Sequence, residues 1–275
     1  MLTFRTLGPL ALALPLLACS LEADDAGRIS LSFGKGRSDE FHWNGPVAAG
    51  QVLEVKGVNG AVRAEAASGS EAEVVAERSS RRSNPADVNI VVVEHAGGVT
   101  ICAVYPDRPG EEPNECLPGD AGHLGARGNS VKVDFIVRVP DGVSFRGRTV
   151  NGRISAEGLT DSVDIRTVNG AAAFSTSGYG VAGTVNGSIT GSLGRTDWAA
   201  PLEFETVNGS ITLEIDGDVD ADVEMRTVNG SLNTDFPLTV QGSISRRRLS
   251  GTIGDGGRQL SLSTVNGSIE LRRGQ

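Results

Sequence analysis

The stretch Leu202-Glu203-Phe204-Glu205-Thr206-Val207-Asn208-Gly209-Ser210-Ile211-Thr212-Leu213-Glu214-Ile215 decides the fold. Before Asn208 the side chains of Leu202, Phe204 and Thr206 alternate with Glu203 and Glu205. After it Ile211, Leu213 and Ile215 alternate with Thr212 and Glu214. A period of two marks a strand with one buried face. The buried set falls on even numbers before the asparagine and on odd numbers after it, so the chain turns at Val207-Asn208-Gly209. The same change of phase occurs between Val223-Met225-Thr227 and Leu232, and between Leu260-Leu262-Thr264 and Ile269-Leu271.

Thr-Val-Asn-Gly, or a close form of it, recurs with its asparagine at Asn59, Asn151, Asn169, Asn186, Asn208, Asn229 and Asn266. The long step from Asn229 to Asn266 contains Arg248-Leu249-Ser250-Gly251-Thr252-Ile253, read as a degenerate copy with Ser250 in the asparagine place. From position 151 onward the steps are then 16 to 22 residues. Two all-β architectures satisfy the pattern. In a β-solenoid each copy is one rung, Asn-Gly is its corner, and stacked asparagines can bond along the stack. In an antiparallel meander each Asn-Gly is a two-residue hairpin turn. The near-constant step and the Thr-Val before every turn favour the solenoid, because a hairpin array has no need of an identical corner.

The chain of 275 residues is 39% hydrophobic but only 4% aromatic, so its core is built from Val, Ile, Leu and Ala. Its 37 glycines disfavour long helices and suit many short strands. A net charge of -9 speaks against nucleic acid, which wants a basic face. Leu7 to Leu17 is an apolar run of signal-peptide length, ending Leu16-Leu17-Ala18-Cys19, which resembles a bacterial lipobox. The expected organisation is a lipoprotein signal peptide over 1–18, a flexible tether over 19–38 that begins at a lipidated Cys19, and one solenoid domain over 39–275. With Cys19 lipidated, Cys102 and Cys116 remain and can pair in an oxidising compartment, stapling an excursion near 102–130. Ser20 in place of an aspartate tilts the expected location to the outer membrane of a Gram-negative cell envelope.

Val137-Arg138-Val139-Pro140-Asp141-Gly142, then Arg148-Thr149-Val150-Asn151-Gly152-Arg153-Ile154 and the repeats that follow, resemble a large bacterial family labelled "putative adhesin". The resemblance covers roughly residues 40 to 275. It implies a solenoid-like all-β fold in an envelope protein, and it supplies no catalytic residues to carry over.

Candidate chemistry is sparse. Gly178-Tyr179-Gly180-Val181-Ala182-Gly183 matches a dinucleotide fingerprint but runs into another rung rather than a helix, so the dipole that holds pyrophosphate is missing. Asp216, Asp218, Asp220 and Asp222 are the one calcium candidate; without the glycine and glutamate of a calcium loop, they read first as a solvated turn. His42, His95 and His123 are far apart, and Arg246-Arg247-Arg248 reads as a solvated loop face. Trp43 is placed as a cap on the open end of the stack. No metal or other cofactor is expected, and no catalytic residue is assigned. The leading expectation is a non-catalytic, lipid-anchored binding or scaffold module, with a protein or polysaccharide partner at the cell surface. A periplasm-facing sensor of envelope stress is one alternative. A polysaccharide-active enzyme using a groove of carboxylates, from among such residues as Glu203, Glu205 and Glu214, is the other.

Overall fold

The computed structural model describes residues 37–240 and 245–274. Cys19, the signal peptide and all but the last two residues of the tether lie outside the described residues. The first strand, β1 (Arg37–Pro46), starts two residues before the expected domain boundary.

Seven copies of a strand-corner-strand unit form the stack. They are β2 (Val52–Lys56) with β3 (Val62–Ala66), β8 (Ser144–Arg148) with β9 (Ile154–Leu159), and β10 (Val163–Arg166) with β11 (Ala172–Thr176). Next come β12 (Gly180–Gly183) with β13 (Ile189–Leu193), and β14 (Leu202–Asn208) with β15 (Ile211–Ile215). The last two are β16 (Ala221–Asn229) with β17 (Leu232–Thr234), and β19 (Gln259–Asn266) with β20 (Ile269–Arg273). The two strands of a unit belong to different sheets, and each pairs in parallel with its counterpart in the next unit. This is a β-solenoid, and the hairpin meander is excluded because β14 and β15 do not pair with each other. Two ten-stranded sheets result, called here sheet 1 (with β3 and β9) and sheet 2 (with β2 and β8). Their inner faces enclose one core, including Phe135, Phe145, Phe174 and Phe204.

The corner explains its own sequence. In one ladder from Asn59 through Asn151, Asn169, Asn186, Asn208 and Asn266 to Asn229, each asparagine after the first donates its amide to the side-chain oxygen of the asparagine before it, at 2.8–2.9 Å. Each buried threonine hydroxyl donates to the glycine carbonyl of the neighbouring rung, as Thr167 does to Gly152 at 2.9 Å and Thr206 to Gly187 at 2.8 Å. The glycine is needed for close approach: a Cβ at Gly187 would lie 1.9 Å from the Gly170 carbonyl oxygen. The valines stay 38–47% exposed at Val168, Val185, Val207, Val228 and Val265, stacked as a stripe beside the asparagines.

The rung order departs from the chain order, and one expectation needs correction. The last unit in sequence, β19–β20, is not the last in space: it lies between β14–β15 and β16–β17. Ser250 is not a corner. It lies in β18 (Arg248–Ile253), which pairs antiparallel with the outer edge of β16, so Ser250 stands opposite Glu224 and closes the sheet rather than turning a rung. The chain needs this 24-residue detour, 235–258, to bring its final rung back inside the stack.

The other end of the stack is covered by antiparallel strands. β4 (Glu71–Ser80) joins β1 to β7 (Lys132–Val139), and β5 (Asn89–His95) lines the edge of β6 (Gly98–Val104). Trp43 sits on the edge strand β1 and packs against the core. Between β6 and β7 the chain leaves the stack, and a disulfide joins Cys102 to Cys116 with 5.8 Å between their Cα atoms. Tyr105 anchors this excursion: its buried hydroxyl donates to the Val131 carbonyl at 2.9 Å.

Candidate functional site

The outer face of sheet 2 carries the densest side-chain chemistry among the described residues. In-register pairing sets two rows across adjacent strands. One runs Glu54, Arg146, Asp164, Val181; the other runs Lys56, Arg148, Arg166, Gly183. Three cations abreast would repel one another, and the carboxylates of Glu54 and Asp164 in the row beside them offset this. Asp164 lies among three guanidiniums, with Arg148 Nη2 at 2.6 Å and Arg146 Nε at 3.3 Å from Oδ2, and Arg166 Nε at 3.5 Å from Oδ1. Its Oδ1 is buried and accepts no hydrogen bond.

The disulfide-closed excursion covers one part of this face, beside Lys56, Arg148 and Arg166. Glu54, only 2% exposed, accepts from the Thr100 hydroxyl at 2.8 Å and from Gly119 N at 2.9 Å. Lys56 donates to the carbonyls of Leu117, Gly119 and Ala121. Burial pushes the Lys56 ammonium below its ordinary pKa, against the opposing pull of Glu54. The excursion is therefore tied to sheet 2 by a charged pair as well as by its disulfide.

A second part of this face is covered by a long connection. Three residues link β9 to β10 and β11 to β12, whereas eight, 194–201, link β13 to β14. Trp198 buries its ring and donates from Nε1 to the Gln259 carbonyl at 3.1 Å, pinning the segment to the returning rung. Its outer tip is a clamp. Asp197 accepts from Arg195 Nε at 2.9 Å, from Arg195 Nη2 at 2.8 Å and from the Tyr179 hydroxyl at 2.7 Å. Arg195 also lies 4.9 Å from the Tyr179 ring centroid. The Arg195 hydrogen bonds, then that of Tyr179, hold the Asp197 carboxyl well below the usual range. The same bond to Asp197 raises the Tyr179 phenol.

Against this segment lies a groove of about 410 Å³, with Ser144, Arg146, Ser162, Asp164 and Val181 along its floor and Tyr179, Ala199, Ala200 and Pro201 on its wall. A carboxylate, a guanidinium, two hydroxyls and an apolar wall side by side can hold a neutral polar ligand in a fixed orientation.

The other candidates fall elsewhere. In the glycine motif, Gly180 opens strand β12 and makes room for a ring: a Cβ there would meet Phe174 at 2.3 Å, and Phe174 stacks on Phe204 with 6.0 Å between centroids. The four aspartates do not converge. Asp218 pairs with Arg273 at 3.0 Å, Asp220 accepts from Asp255 N, and Asp222 accepts from Thr252 and Gly257. Among the described residues, no three of His, Cys, Asp and Glu are gathered to hold a metal ion. His42 faces Glu40, His95 faces Thr100 and His123 faces Glu112, on three separate segments. Glu203 and Glu205 lie on sheet 2 and Glu214 on sheet 1, and Arg248 pairs with Glu224 at 2.9 Å. The groove was missed because Arg146 and Asp164 carry no motif; the single signal was the long step from Asn186 to Asn208.

Fold and groove define a stacked all-β module with a ligand-sized depression on one outer face. Residues 147–272 match the family model Toastrack DUF4097. No curated protein matches the chain. Among solved structures, the chain is similar to a "putative cell adhesion protein" from Clostridium sporogenes, at 10% identity and a TM-score of 0.47, covering 86% of this chain and 100% of that one. It is also similar to a "putative adhesin" from Bacteroides fragilis, at 11% identity and a TM-score of 0.32, covering 86% of this chain and 97% of that one.

Proposed function

We propose that this chain is an exported, non-catalytic binding module, held to the cell envelope by lipid on Cys19 and presenting the outer face of sheet 2 to a partner. The observation that carries the reading is where the insertions go. The excursion after Cys102 and the segment 194–201 both leave the repeat and both lie over the outer face of sheet 2, where the excursion borders a depression with Lys56, Arg148 and Arg166 and the segment walls a groove with Arg146 and Asp164. Connecting segments positioned by a rigid scaffold are where binding is concentrated.

The anchor and the binding are tested separately. Cys19→Ala should move the protein from the membrane to the soluble fraction; retention in the membrane overturns the lipid anchor. Beads coated with the Cys19→Ala protein should adhere to cells or extracellular matrix of the producing organism above uncoated beads. Failure on both surfaces overturns the binding-module reading. Protease added to intact cells decides the direction: digestion places the module outside, and protection until the outer membrane is opened directs the search to periplasmic partners.

A further inference from the structure

We propose that the groove beside the 194–201 segment is a subsite for a neutral saccharide unit. The inference rests on the binding-module reading and names its ligand class. Asp164 Oδ1 is buried at the groove floor without a hydrogen-bond donor, although three guanidiniums surround the same carboxylate. The Asp164 side chain lines the groove, so its carboxylate can accept from a ligand hydroxyl. Arg146 lies one strand away in the same row and lines the same groove, so it can donate to a neighbouring ligand oxygen. A carboxylate acceptor beside a guanidinium donor suits adjacent hydroxyl groups, each of which both donates and accepts. The wall at Ala199 and Pro201 is apolar and suits the C–H face of a sugar ring.

Competing ligands fit less well. An acyl chain would have to cover Arg146 and Asp164, whose charges resist burial. A phosphate or carboxylate would meet Asp164 itself. An extended peptide seeks unpaired strand edges, and β8, β10 and β12 are each paired on both sides within sheet 2. The groove volume of about 410 Å³ lies within the range of small-ligand sites.

The test uses the Cys19→Ala protein and linear oligosaccharides of glucose, mannose, galactose and N-acetylglucosamine, with oligogalacturonate as a charged probe. Binding is read by calorimetry and by saturation-transfer NMR. At least one neutral probe should saturate. Asp164→Asn and Ala199→Trp should each weaken it by about tenfold or more, the loss expected of one hydrogen-bonding contact or of a filled groove. Thr190→Trp, on the outer face of sheet 1, should leave it unchanged. Ala199 is exposed at the rim, so its variant keeps the fold where Asp164→Asn does not. No saturable neutral probe, a preference for oligogalacturonate alone, or wild-type affinity in Ala199→Trp overturns the inference. Beads that adhere while no saccharide binds would sink the saccharide subsite alone; beads that do not adhere would sink the underlying reading.

Discussion

Asn186 donates its amide to Asn169 at 2.8 Å and accepts that of Asn208 at 2.9 Å, so one side chain links three rungs. Asn186→Ala removes both bonds at an exposed position. The expected loss is about 1–2 kcal/mol, each bond contributing about 1 kcal/mol net, measured as a lower urea midpoint with an unchanged slope. Tyr105 gives a pH signature. Burial pushes its phenol up to about 12, whereas an unfolded tyrosine titrates near 10. Between those values the unfolded state gives up the proton first, so this stability contribution is present below about pH 10 and is lost as pH rises toward about 12. Stability of the wild type should fall more steeply across that window than that of Tyr105→Phe, measured by denaturant titration at each pH. At this scale the repeat was legible and its chemistry only half so. The asparagine ladder follows from a repeated corner, but the threonine-to-carbonyl bond and the carbonyl that excludes a Cβ depend on the rung next door.

At the scale of the element, the repeat is a close-approach device. Gly187→Ala would place a Cβ within van der Waals overlap of a backbone carbonyl that cannot rotate away. The expected cost is about 2–4 kcal/mol, in the range of overpacking and strain, read as a drop in thermal midpoint. Gly217→Ala is the contrasting case: no neighbour lies in the way, and its φ of +80° makes backbone strain the source of any loss. The strand pattern was readable from period two alone. The wall over the groove was not. The step from Asn186 to Asn208 announces extra residues, but which face they cover is decided by Trp198 reaching Gln259, more than sixty positions along the chain.

For the whole molecule, the returning rung is the structural risk. β19–β20 supplies parallel partners to the units on both sides, so removing it strands β16–β17 without its inner neighbour. Truncation before Gln259 should therefore release more than the deleted residues. Limited proteolysis with mass mapping should find a resistant fragment ending near Ile215. A resistant fragment reaching Thr234 would instead show that β14–β15 and β16–β17 close directly on each other.

The sequence by itself determined the strands, the corner and the stacking architecture, because a period of two and a repeated Thr-Val-Asn-Gly are local properties that suit one kind of neighbour. Only the tertiary structure decided the order of the last rungs, the edge role of Ser250 and the groove. The reason is physical. Near-identical corners accept one another interchangeably, so no local residue states which copy lies next. The outer-face rows, and with them the meeting of Asp164, Arg146 and the 194–201 wall, exist only once that order is set by long-range pairing.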